Sequence, residues 1–205
     1  MRYATGGAFR TALEQRLLAI AQQRGVPLVR LRKLIAFERL LARLVAAAPD
    51  RWVLKGAVAF HFRLAARFRT TKDMDLGRWD DEPAATDDLV AAQQIDLGDH
   101  FRFAVGRTAK LDQLLEGAAV RYHVSAYLAG RRFEELTVDV GFGDPPVGEP
   151  ERLRGPDLLS FAEIAPVEVP ALPLEQHVAE KVHAYTRSYA AGHSSTRTKD
   201  LNNPA

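Results

Sequence analysis

Cysteine is absent from the 205 residues. That excludes disulfide bonds, thiolate nucleophiles and cysteine-ligated zinc, and it is compatible with a reducing cytosol. No segment approaches the roughly 20 consecutive apolar residues needed to span a bilayer. The first residues, MRYATGGAFRTALEQ, lack the apolar run of a signal peptide. These absences predict a cytoplasmic protein with no membrane partner. Neither G-x-x-x-x-G-K-[ST] nor G-x-G-x-x-G occurs, so P-loop and dinucleotide-binding readings have no support, and no H-E-x-x-H marks a zinc site. Lysine is scarce too. Of 28 basic residues 22 are arginine, a preference that reflects either planar contacts to carboxylate and phosphate or simply genome composition.

What remains is a chain able to fold. With 47% hydrophobic residues and a formal net charge of +2, it has enough apolar surface for a sizeable core, in one domain or a domain with a modest appendage. TALEQRLLAIAQQRG predicts an amphipathic helix that opens on a capping box, Thr11 and Glu14, buries Leu13, Leu17, Ile20 and Ala21, and stops near Gly25. After Pro27 a second helical pattern runs through Leu31, Leu34, Ile35, Leu41, Leu44 and Val45. Its opposite face carries Arg32, Arg39 and Arg43, either a solvated surface or a contact for an RNA backbone. RWVLKG, AVAFHFRLAARF and TKDMDLG then read as strand, helix and strand, and PAATDDLVAAQQIDL as a helix with Pro83 in its first turn. Strands follow at HFRFAVGR, AVRYHVSAYLAG and RRFEELTVDVGFGD, with a turn around Gly130, then a loop from Pro145 to Pro156 and a last helix from Leu174 to Tyr189. The expected fold is mixed α+β, with 1–160 as the core and 161–205 as a helical C-terminal segment, short or truncated.

Residues two apart in a strand share a face, so Asp73 and Asp75 point together while Met74 and Leu76 face the core. Paired carboxylates repel unless a cation lies between them, and a hard divalent ion suits their oxygens. The bland alternative is a solvated polar rim. Asp139, in the alternating segment LTVDVGFG, is a third carboxylate that converges if the two strands are neighbours. Upstream, LKGAVAF sets a glycine between strand and helix, where free backbone N–H groups favour phosphate. Lys181, on the inner side of the last helix, either neutralises phosphate charge or pairs with Glu180 in the helix. His177 and His183 match no metal-ligand spacing and read as packing or surface residues.

Four pieces in order, WVLKGAVAF, RFRTTKDMDL, LTVDVGFGD and LEQHVAEKVHAYTR followed by RTKDL, together resemble the AbiEii/AbiGii nucleotidyltransferase toxins, including the MenT-like toxins. The resemblance implies a DNA polymerase β-like nucleotidyltransferase fold. It implies a magnesium (or manganese) ion on Asp73, Asp75 and Asp139. It further implies nucleotide contacts from Lys55, Gly56, Ala57, Thr71, Lys181, Arg187 and Lys199, with Arg197 in the same last motif. Catalytic roles fall to Asp73, Asp75, Asp139, Lys181 and Asp200. The implied partners are an NTP, the 3′ end of tRNA as acceptor, and a cognate antitoxin. The chain departs from the family pattern where Ala57 and Val58 replace a second glycine and a hydroxyl residue. Two other readings stand beside this one: transfer to a protein or small-molecule hydroxyl, and a non-catalytic nucleotide- or RNA-binding module.

Overall fold

The computed structural model describes residues 1–64, 71–111, 119–143 and 145–186. The first helix, α1 (Gly6–Arg24), begins nearly two turns earlier than the Thr11–Glu14 box predicts. Thr5 is the cap, its hydroxyl accepting from the Ala8 N–H at 3.3 Å, whereas Thr11 lies inside the helix and donates to the Gly7 carbonyl. The apolar stripe explains the shift: Phe9, one turn before Leu13, is fully buried and extends the helical face backwards. Gly25 ends α1 at φ 63°, the left-handed conformation glycine adopts without steric cost.

Helix α2 (Leu28–Ala47) buries the expected apolar residues except Val45, which is half-buried, but also Arg39 and Arg43. This corrects the reading of those arginines as a solvated or RNA-facing surface. Both Arg43 Nη atoms bond Asp99, at 2.6 and 3.0 Å, and the remaining donors reach the carbonyls of Arg39, Ile95 and Phe101. Arg39 pairs with Glu38, whose carboxylate also accepts the Val167 N–H at 2.8 Å. Arg32, half-buried, donates to the Phe133 carbonyl and lies over the Phe133 ring. All three bind this protein rather than a ligand.

Strand β1 (Val53–Lys55) runs straight into α3 (Gly56–Leu64), and β2 (Asp73–Arg78) is followed by α4 (Glu82–Gln94), capped by Asp81. Then come β3 (Phe101–Leu111), β4 (Ala119–Leu128) and β5 (Arg131–Phe142). The segment read as a loop from Pro145 to Pro156 contains β6 (Glu151–Arg154). It pairs with β7 (Glu168–Ala171), and α5 (Leu174–Thr186) closes the described chain. The seven strands form one sheet in the order β3-β4-β5-β2-β1-β7-β6. β5 lies parallel to β2, and β7 parallel to β1; β6 and β7, on either side of position 160, are neighbours in that sheet.

Register makes the two faces of the sheet chemically opposite. One row across four strands reads Leu54, Leu76, Val140, Val120, each at most 2% exposed and part of one core with α1, α2 and α4. Full burial of each such side chain contributes about 1.5–3 kcal/mol. The adjacent row reads Lys55, Asp75, Asp139, Arg121 and faces the other way. Slipping β2 by one residue would drive both aspartates into the core, so the apolar row fixes where the charged row stands. No helix among the described residues is long and apolar enough to cross a membrane.

Candidate active site

The charged row is the centre of the candidate site. Asp73 and Asp75 share the polar face of β2, and Asp139 stands beside Asp75 on β5. Thr71 organises the entry to β2: its hydroxyl donates to the Asp73 carbonyl at 2.7 Å and accepts the Asp73 N–H at 3.3 Å. Its observed bonds thus go to the backbone of the first aspartate.

Gly56 has φ 61°, and a Cβ built there would lie 1.8 Å from Asp75 Oδ2. Only glycine tolerates both the left-handed backbone and that approach. The strand-to-helix corner is therefore pressed against the carboxylate, and the start of α3, with Ala57 next in line, sits beside Asp75.

Arg121 is the residue that sequence reasoning missed. Its Nε and Nη2 donate to the two oxygens of Asp139 at 2.7 and 2.6 Å, a bidentate clamp. The Asp139 hydrogen bonds, opposed by burial, push the guanidinium above its usual value, and the charges of Asp139, Asp73 and Asp75 add to the rise. The alternation of Val120, Tyr122 and Val124 with Arg121, His123 and Ser125 signals that Arg121 faces the polar side. Its partner is set by strand register alone. Among the described residues no three His, Cys, Asp or Glu side chains group closely enough to hold a metal ion, and both oxygens of Asp139 are engaged by Arg121.

The opposite end of the row leads to α5. Lys55 pairs with Glu180 at 3.0 Å, so Glu180 turns towards the sheet instead of pairing with Lys181 in the helix. Lys181 is exposed, its Nζ 5.2 Å from the centre of the Phe60 ring on α3. His177 is buried and stacks on Phe60 with ring centroids 4.0 Å apart, a packing role as expected. Burial first, then the charges of Arg63, Lys181 and Lys55, bring its pKa down to about 4. Arg63 lies 3.3 Å from His177 Nδ1 and also binds Glu151, whose other oxygen accepts the Leu174 N–H at the start of α5. α5 is thereby anchored to one side of α3. Arg187, Arg197, Lys199 and Asp200 lie outside the described residues.

The other side of α3 borders a cleft against α2. Its walls are apolar, from Leu34, Phe37 and Val58, and Arg30 and Lys33 stand on its α2 side. Ala57 and Thr71 bring it to the edge of the carboxylate row, and His61 lines it as well. Burial, followed by the charges of Arg30 and Arg24, pushes the His61 imidazole below its ordinary value. Val58, standing where a hydroxyl was expected, is only 1% exposed and forms part of this wall.

Comparison with known proteins agrees with this architecture. MenT4, a nucleotidyltransferase toxin from Mycobacterium tuberculosis H37Rv, has a similar structure with a TM-score of 0.59 and 19% identity, covering 86% of this chain and 58% of that one. JHP933 from Helicobacter pylori superposes with a TM-score of 0.51 and 17% identity, covering 84% of this chain and 62% of that one. This chain thus spans less than two thirds of either structure's length, and the likeness is one of fold. No curated protein matches the sequence. Residues 39–201 match the family described as the nucleotidyl transferase AbiEii toxin of type IV toxin–antitoxin systems. With the carboxylate row, the glycine corner and the mixed sheet all inside that span, the chain belongs to the AbiEii nucleotidyltransferase toxin family and has the expected α+β, DNA polymerase β-like fold.

Proposed function

We propose that this protein transfers a nucleotide from an NTP to an acceptor hydroxyl with the help of a divalent ion, magnesium or manganese. The observation that carries the reading is the row Lys55, Asp75, Asp139, Arg121, with Gly56 pressed against Asp75. Asp73 and Asp75 supply hard oxygen donors on one strand face, which fits such an ion. When bound, the ion supplies charge neutralisation at the triphosphate and polarisation of the phosphoryl group under attack.

The chain's own residues do the rest. The first N–H groups of α3, at Gly56 and Ala57, bind phosphate oxygens, helped by the positive end of the helix. Lys55 and Lys181, on the α5 side, offset charge that builds on the departing pyrophosphate; Arg187 and Lys199 belong to the same group. Thr71 holds Asp73 in place through its backbone. Asp139 completes the carboxylate set and takes the proton of the attacking hydroxyl as Arg121 yields one of its two oxygens. Asp200 serves the same step from the last motif.

On this reading the acceptor is the 3′ end of tRNA and transfer blocks translation in the cytoplasm; membership of a type IV toxin–antitoxin family supports a cognate antitoxin that restrains the enzyme. The test is incubation of the protein with each labelled NTP, total tRNA and Mg²⁺. Label in tRNA that disappears with Asp75→Ala is the expected result. Label confined to protein or small molecules would overturn the tRNA assignment, and transfer that survives Asp75→Ala would overturn the metal site.

A further inference from the structure

We propose that Arg121 is a built-in counter-ion that keeps Asp139 closed to the divalent ion until the phosphates of the NTP draw the guanidinium away. The proposal rests on the transfer reading above and adds the order in which the site assembles. A carboxylate has two oxygens, and Arg121 takes both of those on Asp139, at 2.7 and 2.6 Å. While that fork is closed, an ion held by Asp73 and Asp75 finds the neighbouring carboxylate of the row already neutralised. Lys55, the other cation of the row, is paired with Glu180.

The clamp is built to be released. Both partners are half-buried, and a pair in contact with solvent adds little to stability. Arg43, by contrast, is shut away with Asp99 and is held by backbone carbonyls as well. Among the described residues the hydrogen bonds of Arg121 go to Asp139 alone. There is also room to move. Gly141, the next residue of β5 on the same face, has Gly77 and Ala119 as its neighbours across β2 and β4. A Cβ built at Gly141 meets nothing within 4 Å, so open space adjoins the clamp. Phosphate oxygens accept the same planar fork that a carboxylate does. A triphosphate with one end on the Gly56 corner, beside Asp75, meets Arg121 two strands further along the row. Once Arg121 turns to the phosphates, Asp139 loses its counter-ion, and repulsion among the carboxylates favours a divalent ion between them. Ion and nucleotide then bind as a pair, each tightening the other.

The test measures Mn²⁺ binding to the full chain without nucleotide, by electron paramagnetic resonance, in wild type, Arg121→Gln, Arg121→Met, Arg121→Lys and the double variant Arg121→Gln/Asp139→Asn. Arg121→Gln and Arg121→Met should each bind Mn²⁺ about tenfold tighter than wild type, because the third carboxylate is released. The double variant should lose that gain. Arg121→Lys keeps the charge and should stay within about threefold of wild type. Calorimetry with inorganic tripolyphosphate, in the absence of divalent ions, should show affinity falling about tenfold in Arg121→Gln, since the phosphates lose their fork. Thermal unfolding reports the stability of each variant separately. Equal Mn²⁺ affinity in wild type and both neutral variants would overturn the proposal, as would a gain that survives Asp139→Asn. Lower stability with no gain in Mn²⁺ affinity would reduce the clamp to a structural pair, and unchanged tripolyphosphate binding would remove the phosphate from the switch. Label transfer by wild type is read in parallel. A gain in Mn²⁺ affinity without any transfer would sink the transfer reading and keep the clamp; transfer without the gain would sink the clamp alone.

Discussion

Two arginine–carboxylate assemblies in this molecule look alike in composition and differ in what surrounds them. In the knot on α2, Arg43 and Asp99 are 0% and 1% exposed, and nearly every donor finds a carboxylate or a backbone carbonyl. In the row across the sheet, Arg121 and Asp139 are 35% and 18% exposed, and Asp73 and Asp75 add acidic charge beside them. The closed assembly ties α2 to the beginning of β3 and to the segment before β7. The open one has more acidic than basic charge around its centre and a route to solvent. Enclosure with complete pairing holds a fold together, whereas a partly open excess of one charge awaits a counter-ion or a substrate.

Mutation should separate the two. Asp75→Asn is expected to reduce transfer by about 10³-fold, equivalent to about 4 kcal/mol at the transition state, while the urea midpoint stays close to wild type. Arg43→Ala should do the opposite. Removing one member of a buried pair leaves Asp99 uncompensated, a loss of about 3–5 kcal/mol in equilibrium unfolding; the specific activity of the remaining folded protein should persist. Equal loss of stability in both variants would erase the distinction.

Gly56→Ala probes the junction of fold and site. The left-handed backbone and the Asp75 contact predict about 1–3 kcal/mol of destabilisation together with reduced transfer, measured by thermal unfolding and by the tRNA-labelling assay. A merely structural glycine would lose stability alone. A smaller effect concerns the anchoring of α5. His177 titrates at about 4 in the folded protein against an ordinary 6.5, so folded molecules bind fewer protons than unfolded ones between these values. Its contribution is present above pH 6.5 and is lost progressively as pH falls towards about 4, by at most about 3 kcal/mol. The groups around it are Arg63 on α3, Lys181 on α5, Lys55 on β1 and Glu151 on β6. Unfolding midpoints measured across that range should flatten in His177→Phe, and an unchanged profile would place the titration elsewhere.

The strands of the central sheet were legible because alternation is a local property: TKDMDLG and LTVDVGFGD show their polar and apolar faces without any neighbour. The aspartates of the site were legible for the same reason. β6 and β7 were not, since four-residue strands such as Glu151–Arg154, embedded in proline and glycine, carry too little pattern to register. Pairing across long separations also escapes a linear reading. Arg43 and Asp99 are 56 positions apart, and Arg121 and Asp139 are 18 apart; an arginine on a helix looks solvent-facing until its distant acid arrives. The cleft was hidden because it exists only between two helices, and Val58 looked like a defect in a motif until its wall was seen.

The strand order has a consequence for the newly made chain. Asp75 precedes Asp139 by half the sheet's construction, and β1 receives its second neighbour only when residues 168–171 emerge. Chains emerge from synthesis at about 5–20 residues per second, so the reacting centre must wait seconds for its outer strands. Asp75 thus stands without its parallel neighbour until residues 131–142 have emerged, and the charged row is incomplete for as long as β5 is missing.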